Sequence, residues 1–182
     1  HEKKPYFLFV GRLSPEKGVR VLLQVWNNLY SDSALLKVVG DGPQSAVLKQ
    51  YCTEKGLGTV RFLGSRSLAS VLDLMQGAQA VVVPSQWYET FGRVVVEAFA
   101  CGRPAIVSDL GALAELVEEG ETGFKVSPYD PQAWADRIRW CIDHPVKLEE
   151  MGRKARQCYL ANYTPEINYR QLMAIYQKVL NS

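Results

Sequence analysis

The chain has 182 residues, 47% hydrophobic and 22% charged, with a formal net charge of +2. That length supports one domain with a real core, and the mild charge argues against a nucleic-acid-binding surface. No apolar stretch approaches the length of a membrane span, and the opening His1-Glu2-Lys3-Lys4-Pro5 lacks signal-peptide architecture.

Tyr6–Val10 reads as a short apolar strand, followed by the loop Gly11-Arg12-Leu13-Ser14-Pro15-Glu16-Lys17-Gly18. Val19–Leu29 has helical spacing, with Val19, Leu22, Leu23, Trp26 and Leu29 on one face. Leu35–Val39 is a second strand, closed by the turn Gly40-Asp41-Gly42-Pro43, and Gln44–Lys55 is helical. Val60–Leu63 is the third strand, ending at Gly64, and Ser67 caps a short helix to Gln76. Ala80–Val83 is a fourth strand ended by Pro84; Val94–Gly102 is a helix stopped by glycine and then Pro104. Strands at Pro104–Val107 and Gly123–Val126 flank a short helix at Ala112–Glu118. Helices at Pro131–Asp143, capped by Asp130, at Lys147–Leu160 and at Pro165–Leu180 complete the chain.

Strands that are apolar throughout, alternating with helices, predict an α/β fold. Its sheet is parallel and doubly wound, of about six strands, with helices on both faces. Ligands of such folds bind beyond the carboxyl ends of the strands. Two glutamates, Glu89 in a loop and Glu97 inside a helix, fall at one of these ends. Either they face a ligand or they are ordinary helix-end and ion-paired charges. Gly92 stands at the helix start, where a glycine lets a ligand come close to backbone N–H groups suited to phosphate. Arg12 and Lys17 are either solvated surface charges or a clamp for a diphosphate across the cleft. The first strand is followed by neither a dinucleotide fingerprint nor a P-loop, which argues against a dehydrogenase or P-loop enzyme, and no Asp-x-Asp pair is present, so no metal site is expected. Cys52, Cys101, Cys141 and Cys158 have no metal-site spacing and read as reduced, packed thiols of a cytoplasmic protein; His144 reads as structural.

Several motifs occur in order: Gly11-Arg12-Leu13 with Lys17-Gly18, Gly40-Asp41-Gly42-Pro43, Phe62-Leu63-Gly64, Pro84-Ser85, and Glu89-Thr90-Phe91-Gly92. Glu97-Ala98-Phe99-Ala100-Cys101-Gly102-x-Pro104 and Glu119-Gly120-Glu121-Thr122-Gly123 follow. Together they resemble the C-terminal, donor-binding domain of retaining glycosyltransferases of the two-domain GT-B architecture, glycosyltransferase family four. The resemblance runs from Tyr6 through Asp130 and continues as pattern into the last helices. It implies that residues 1–182 form one nucleotide-sugar-binding, Rossmann-like domain, with the helices of about 146–182 outside the sheet. It implies a nucleoside diphosphate sugar as donor substrate, no cofactor, and a role in polysaccharide or glycoconjugate biosynthesis.

The same resemblance assigns roles. Arg12 and Lys17 would hold the diphosphate and stabilise the leaving group, and Glu89 would contact the donor sugar. These three form the expected catalytic set. Glu97 would hold the ribose hydroxyls. Gly11, Thr90, Phe91, Gly92, Arg93 and Val94 would border the sugar and phosphates, and Gly64 and Arg66 the base. Arg93 replaces a usually apolar residue, so it either adds a phosphate contact, faces a partner domain or is a surface charge, and Thr90 replaces smaller residues. The acceptor-binding N-terminal domain is expected to be missing, and any attachment to a membrane surface would be left to it. The isolated chain is then expected to be inactive in transfer. Alternatives are a non-catalytic nucleotide-sugar-binding module and a nucleotide-sugar epimerase of the same fold.

Overall fold

The computed structural model describes residues 4–29 and 34–180. His1 to Lys3, part of the opening stretch read above, lie outside the described residues. Among the described residues there are six strands: β1 (Tyr6–Val10), β2 (Leu35–Val39), β3 (Val60–Gly64), β4 (Ala80–Val83), β5 (Ala105–Ser108) and β6 (Gly123–Val126). They form one parallel sheet in the order β3-β2-β1-β4-β5-β6. The central strands are apolar at consecutive positions because both their faces are covered. Phe7 and Phe9 point into one core with Leu36, Val82 and Ile106, whereas Leu8 and Val81 point into another.

The first core is closed by α1 (Val19–Asn28) and α6 (Pro131–Asp143). Trp26 meets Phe7 edge to face, with centroids 5.9 Å apart. Trp134 is fully buried and donates its indole N–H to the Ser127 carbonyl at 3.0 Å. Asp130 caps α6 by accepting the Ala133 N–H at 3.0 Å. The opposite face carries α3 (Leu68–Gly77) and α4 (Arg93–Ala100), with α7 (Pro145–Asn162) packed over α4. The three consecutive valines of α4 oppose helix propensity. Val95, Ala98 and Phe99 are nonetheless fully buried, and burying a Val or Phe side chain contributes ~1.5–3 kcal/mol, far more than the propensity cost. The remaining helices are α2 (Ser45–Lys55), α5 (Gly111–Leu116) and α8 (Pro165–Leu180). The last has no buried residue and touches α7.

Some boundaries differ from the sequence reading. The loop after β1 contains a 3-10 turn, Pro15–Lys17, because Pro15 presets φ at its first position. α4 starts one residue earlier than expected and stops at Ala100, since the Cys101 and Gly102 N–H groups fold back in tighter bonds. α7 begins at Pro145 rather than Lys147, with proline again in the first turn. His144 has the structural place expected of it: its ring stacks on Trp140 at 4.5 Å and its Nδ1 lies 2.8 Å from the Trp140 carbonyl.

All four cysteines are free thiols. Burial pushes the Cys141 thiol up to about 12 and raises those of Cys52 and Cys101. The thiolate is the reactive form, so Cys141 should not react with a disulfide reagent at pH 8 until the chain is unfolded. Mass-spectrometric mapping of labelled thiols before and after guanidinium addition checks this, and early Cys141 labelling would contradict the buried placement.

Candidate functional site

β1 and β4 are neighbours at the centre of the sheet, where the strand order reverses. Their carboxyl ends open the crevice in which doubly wound folds bind ligands. The loops leaving these strands are joined directly. Gln86 donates its N–H to the Glu16 carbonyl at 2.8 Å. Gly18 ends the 3-10 turn at φ 69°, and a Cβ there would lie 1.9 Å from the Pro84 carbonyl oxygen. Glycine alone permits both that backbone and that approach.

This junction brings together two residues far apart in sequence. Lys17 Nζ lies 2.6 Å from Glu89 Oε1, with the side chains 31% and 21% exposed. The buried Ser85 hydroxyl donates to the same carboxylate oxygen at 2.9 Å. Beside them, the Ser14 hydroxyl and the residue's own N–H hold the Glu16 carboxyl below its ordinary range, with Arg12 and Lys17 adding positive charge. Arg12 itself is exposed.

Glu97 lies in the second turn of α4 and accepts from Arg93 Nε at 3.2 Å. Arg93 is 82% exposed, so it partners the carboxylate from the solvent side. Glu97 also lines a cleft of about 740 Å³ with Leu68 and Leu72 of α3, Phe91, Tyr163 and Pro165. The exposed Phe91 ring meets Tyr163 edge to face, with centroids 6.4 Å apart. Burial raises the Tyr163 phenol above its ordinary value.

The other expected residues are distributed around this frame. Gly11 donates its N–H to the Val39 carbonyl at 3.0 Å, and the Gly64 carbonyl accepts the Gly40 N–H at 2.9 Å. Both therefore belong to the backbone framework at the carboxyl ends of β1, β2 and β3. Thr90 and Arg66 are exposed, and no described hydrogen bond joins Gly64 or Arg66 to Lys17 and Glu89. The Val94 side chain packs on the core cluster containing Leu8 and Val81, which leaves its N–H as the group available to a ligand.

Gly92 has a packing role that the sequence did not show. Its φ is 81°, and a Cβ would lie 2.7 Å from Leu116 Cδ1 and 3.0 Å from Leu113 Cδ2. Glycine is needed here for backbone shape and for packing against α5. The Val95 and Val96 N–H groups both return to the Gly92 carbonyl, at 2.9 and 3.4 Å. The Arg93 and Val94 N–H groups precede those bonds and carry the positive end of the helix dipole.

Ser85, Tyr163 and the cleft-lining Leu68 and Leu72 were not singled out by sequence. Pro84-Ser85 belonged to a recognised motif, but its spacing suggested no task for the hydroxyl. Nothing in the sequence pairs Phe91 with Tyr163.

A parallel sheet in this order, with charged and N–H-bearing loops at its reversal point, defines a Rossmann-like ligand-binding domain of the kind found in GT-B enzymes. The chain belongs to the glycosyl transferases group 1 family, whose profile matches residues 1–158. It is 35% identical over 161 residues to the D-rhamnosyltransferase WbpZ of Pseudomonas aeruginosa, covering 87% of this chain and 42% of that protein. Among solved structures it resembles sucrose-phosphate synthase of Thermosynechococcus elongatus, with TM-score 0.89 and 30% identity over 98% of this chain and 46% of the other. Anabaena Alr3699/HepE in complex with UDP-glucose superposes with TM-score 0.87 and 31% identity, over 96% of this chain and 49% of the other. The chain thus spans less than half the length of each of these relatives.

Proposed function

We propose that this chain is the donor-binding half of a retaining glycosyltransferase that uses a nucleoside diphosphate sugar. The observation that carries the reading is the meeting of Lys17 and Glu89 at the strand-order reversal. A diphosphate entering there draws Lys17 towards its oxygens, with Arg12 and the Arg93 and Val94 N–H groups as further positive partners. Breaking the bond between the sugar's anomeric carbon and the phosphate oxygen leaves negative charge on the diphosphate and positive charge on the sugar. Fixed cations and helix N–H groups stabilise the first. Glu89, freed from Lys17, faces the sugar, and Glu97 at the mouth of the 740 Å³ cleft accepts the ribose hydroxyls. The nucleoside then rests between α3 and the loop carrying Phe91. The acceptor belongs to a second, N-terminal domain, and transfer requires both halves closing on one another.

Diphosphate recognition here uses protein cations and N–H groups, without metal. Calorimetric titration of the chain with UDP, UDP-glucose, GDP and GDP-mannose tests the reading. At least one nucleotide should bind, and 5 mM EDTA, taken as about a saturating excess over trace metal, should leave its affinity unchanged. Binding lost on chelation would require a metal site and overturn this account of the diphosphate.

A further inference from the structure

We infer that Ser85 is a positioning residue that holds the Glu89 carboxylate for the donor sugar when Lys17 leaves it for the diphosphate. The inference rests on the donor-binding reading and names a device within that site.

Ser85 lies just beyond β4 and is 1% exposed. Its hydroxyl oxygen lies 2.9 Å from Glu89 Oε1, 3.1 Å from the Trp87 carbonyl and 3.2 Å from the Glu16 carbonyl. A hydroxyl has one proton and all three neighbours are acceptors. The Glu16 carbonyl already receives the Gln86 N–H at 2.8 Å. Glu89 is the nearest of the three and carries charge, so it takes the proton.

Lys17 and Ser85 both address Oε1 of Glu89, which leaves Oε2 without a described protein partner. Lys17 is on the 3-10 turn beyond β1, at the end of a flexible side chain, and a diphosphate competes for it. Ser85 is on the same short loop as Glu89, four residues before it, and is inaccessible to ligand. A serine in this place therefore keeps the carboxylate oriented in both the empty and the loaded site. With Oε1 retained by the hydroxyl, Oε2 is presented to a hydroxyl of the sugar. The nucleotide portion makes no use of this bond, so the effect of Ser85 is confined to the sugar.

The test compares UDP with UDP-glucose, and GDP with GDP-mannose, by calorimetry on the unaltered chain, Ser85→Ala, Glu89→Ala and the double variant. Melting temperatures confirm that each is folded. Ser85→Ala is expected to leave the sugar-free nucleotide within about twofold and to weaken the nucleotide sugar about tenfold, the usual size for a lost hydrogen bond to a charged group. In the Glu89→Ala background the same change should have less than about a twofold effect, because the two residues act as one unit. Equal weakening of both ligands, unchanged nucleotide-sugar affinity, or undiminished loss in the double variant would each overturn the role of Ser85 while leaving the donor reading in place. Failure of the unaltered chain to bind any of the four nucleotides would overturn the donor reading, and this inference with it. An unfolded Ser85→Ala is replaced by Ser85→Cys, a near-isosteric weak donor, with the same outcomes expected at smaller amplitude.

Discussion

Glu97→Ala is expected to weaken UDP binding roughly tenfold or more, whereas Glu89→Ala leaves it within about twofold. The difference follows from where the two carboxylates stand. Glu97 borders the cleft between α3 and α4 and has Arg93 as its described partner. That pair is solvent-facing at 82% exposure of Arg93, and an exposed i, i+4 pair contributes only ~0.3–0.5 kcal/mol. Losing it hardly affects stability, so any large effect of Glu97→Ala must come from the ligand. A carboxylate that accepts two ribose hydroxyls loses both bonds on truncation. Glu89 instead stands with Lys17 and Ser85 beyond β4, where only the sugar is expected to reach it. Its replacement removes the extra affinity of the intact donor. It also releases Lys17, so UDP affinity should not fall and is expected to rise slightly at low salt.

Titration of both variants with UDP and UDP-glucose, with melting temperatures as control, separates these roles. If both glutamates are ordinary surface ion pairs, both variants bind both ligands as the unaltered chain does. Equal losses on UDP would sink the division of labour between them.

The second large effect concerns stability. Gly18→Ala is expected to destabilise the chain by about 3 kcal/mol or more, lowering Tm by roughly 6–12 °C for a protein of this size. Gly18 has φ 69°, and the added methyl would stand 1.9 Å from the Pro84 carbonyl oxygen. That neighbour is backbone, so relief requires moving the turn after β1 away from the loop after β4. Gly56, which has φ 64° and nothing within 4 Å of its virtual Cβ, provides the comparison. Gly56→Ala incurs only the left-handed backbone penalty, ~1–2 kcal/mol. Equal Tm losses in the two variants would show that the close approach at Gly18 contributes nothing. A larger loss at Gly18 should be accompanied by weaker nucleotide binding, because the same displacement carries Lys17 away from the site.

The sheet was legible because each central strand is apolar over consecutive positions, as in Ala80–Val83, and only a strand covered on both faces reads that way. Helix ends marked by chemistry were also legible, as with Ser67, whose hydroxyl accepts the Ser70 N–H, and Asp130 before Pro131. The order of the strands was not. It depends on which edges pair, and composition is silent about that. The contact between Lys17 and Glu89 was hidden for the same reason, since it exists only because β1 and β4 are neighbours. The Arg93–Glu97 pair was visible in principle from its i, i+4 spacing. The packing role of Gly92 was not, because its neighbours Leu113 and Leu116 lie on a later helix.

The junction of β1 and β4 also bears on how the chain acquires its shape. The β1–β2 and β2–β3 pairings each close through a single connecting helix, as do β4–β5 and β5–β6. Joining β1 to β4 instead waits for β2, β3 and the helices α1, α2 and α3 to be placed between Phe7 and Ala80. The closure entropy of that long excursion makes it the natural late event in assembly. On the proposed reading, a nucleotide sugar held by Lys17 on one side and Glu89 on the other would span this late-closing seam. Contacts made only after the rate-limiting step retard unfolding and leave refolding untouched. Nucleotide-sugar occupancy would then lengthen the lifetime of the native chain through its unfolding rate alone.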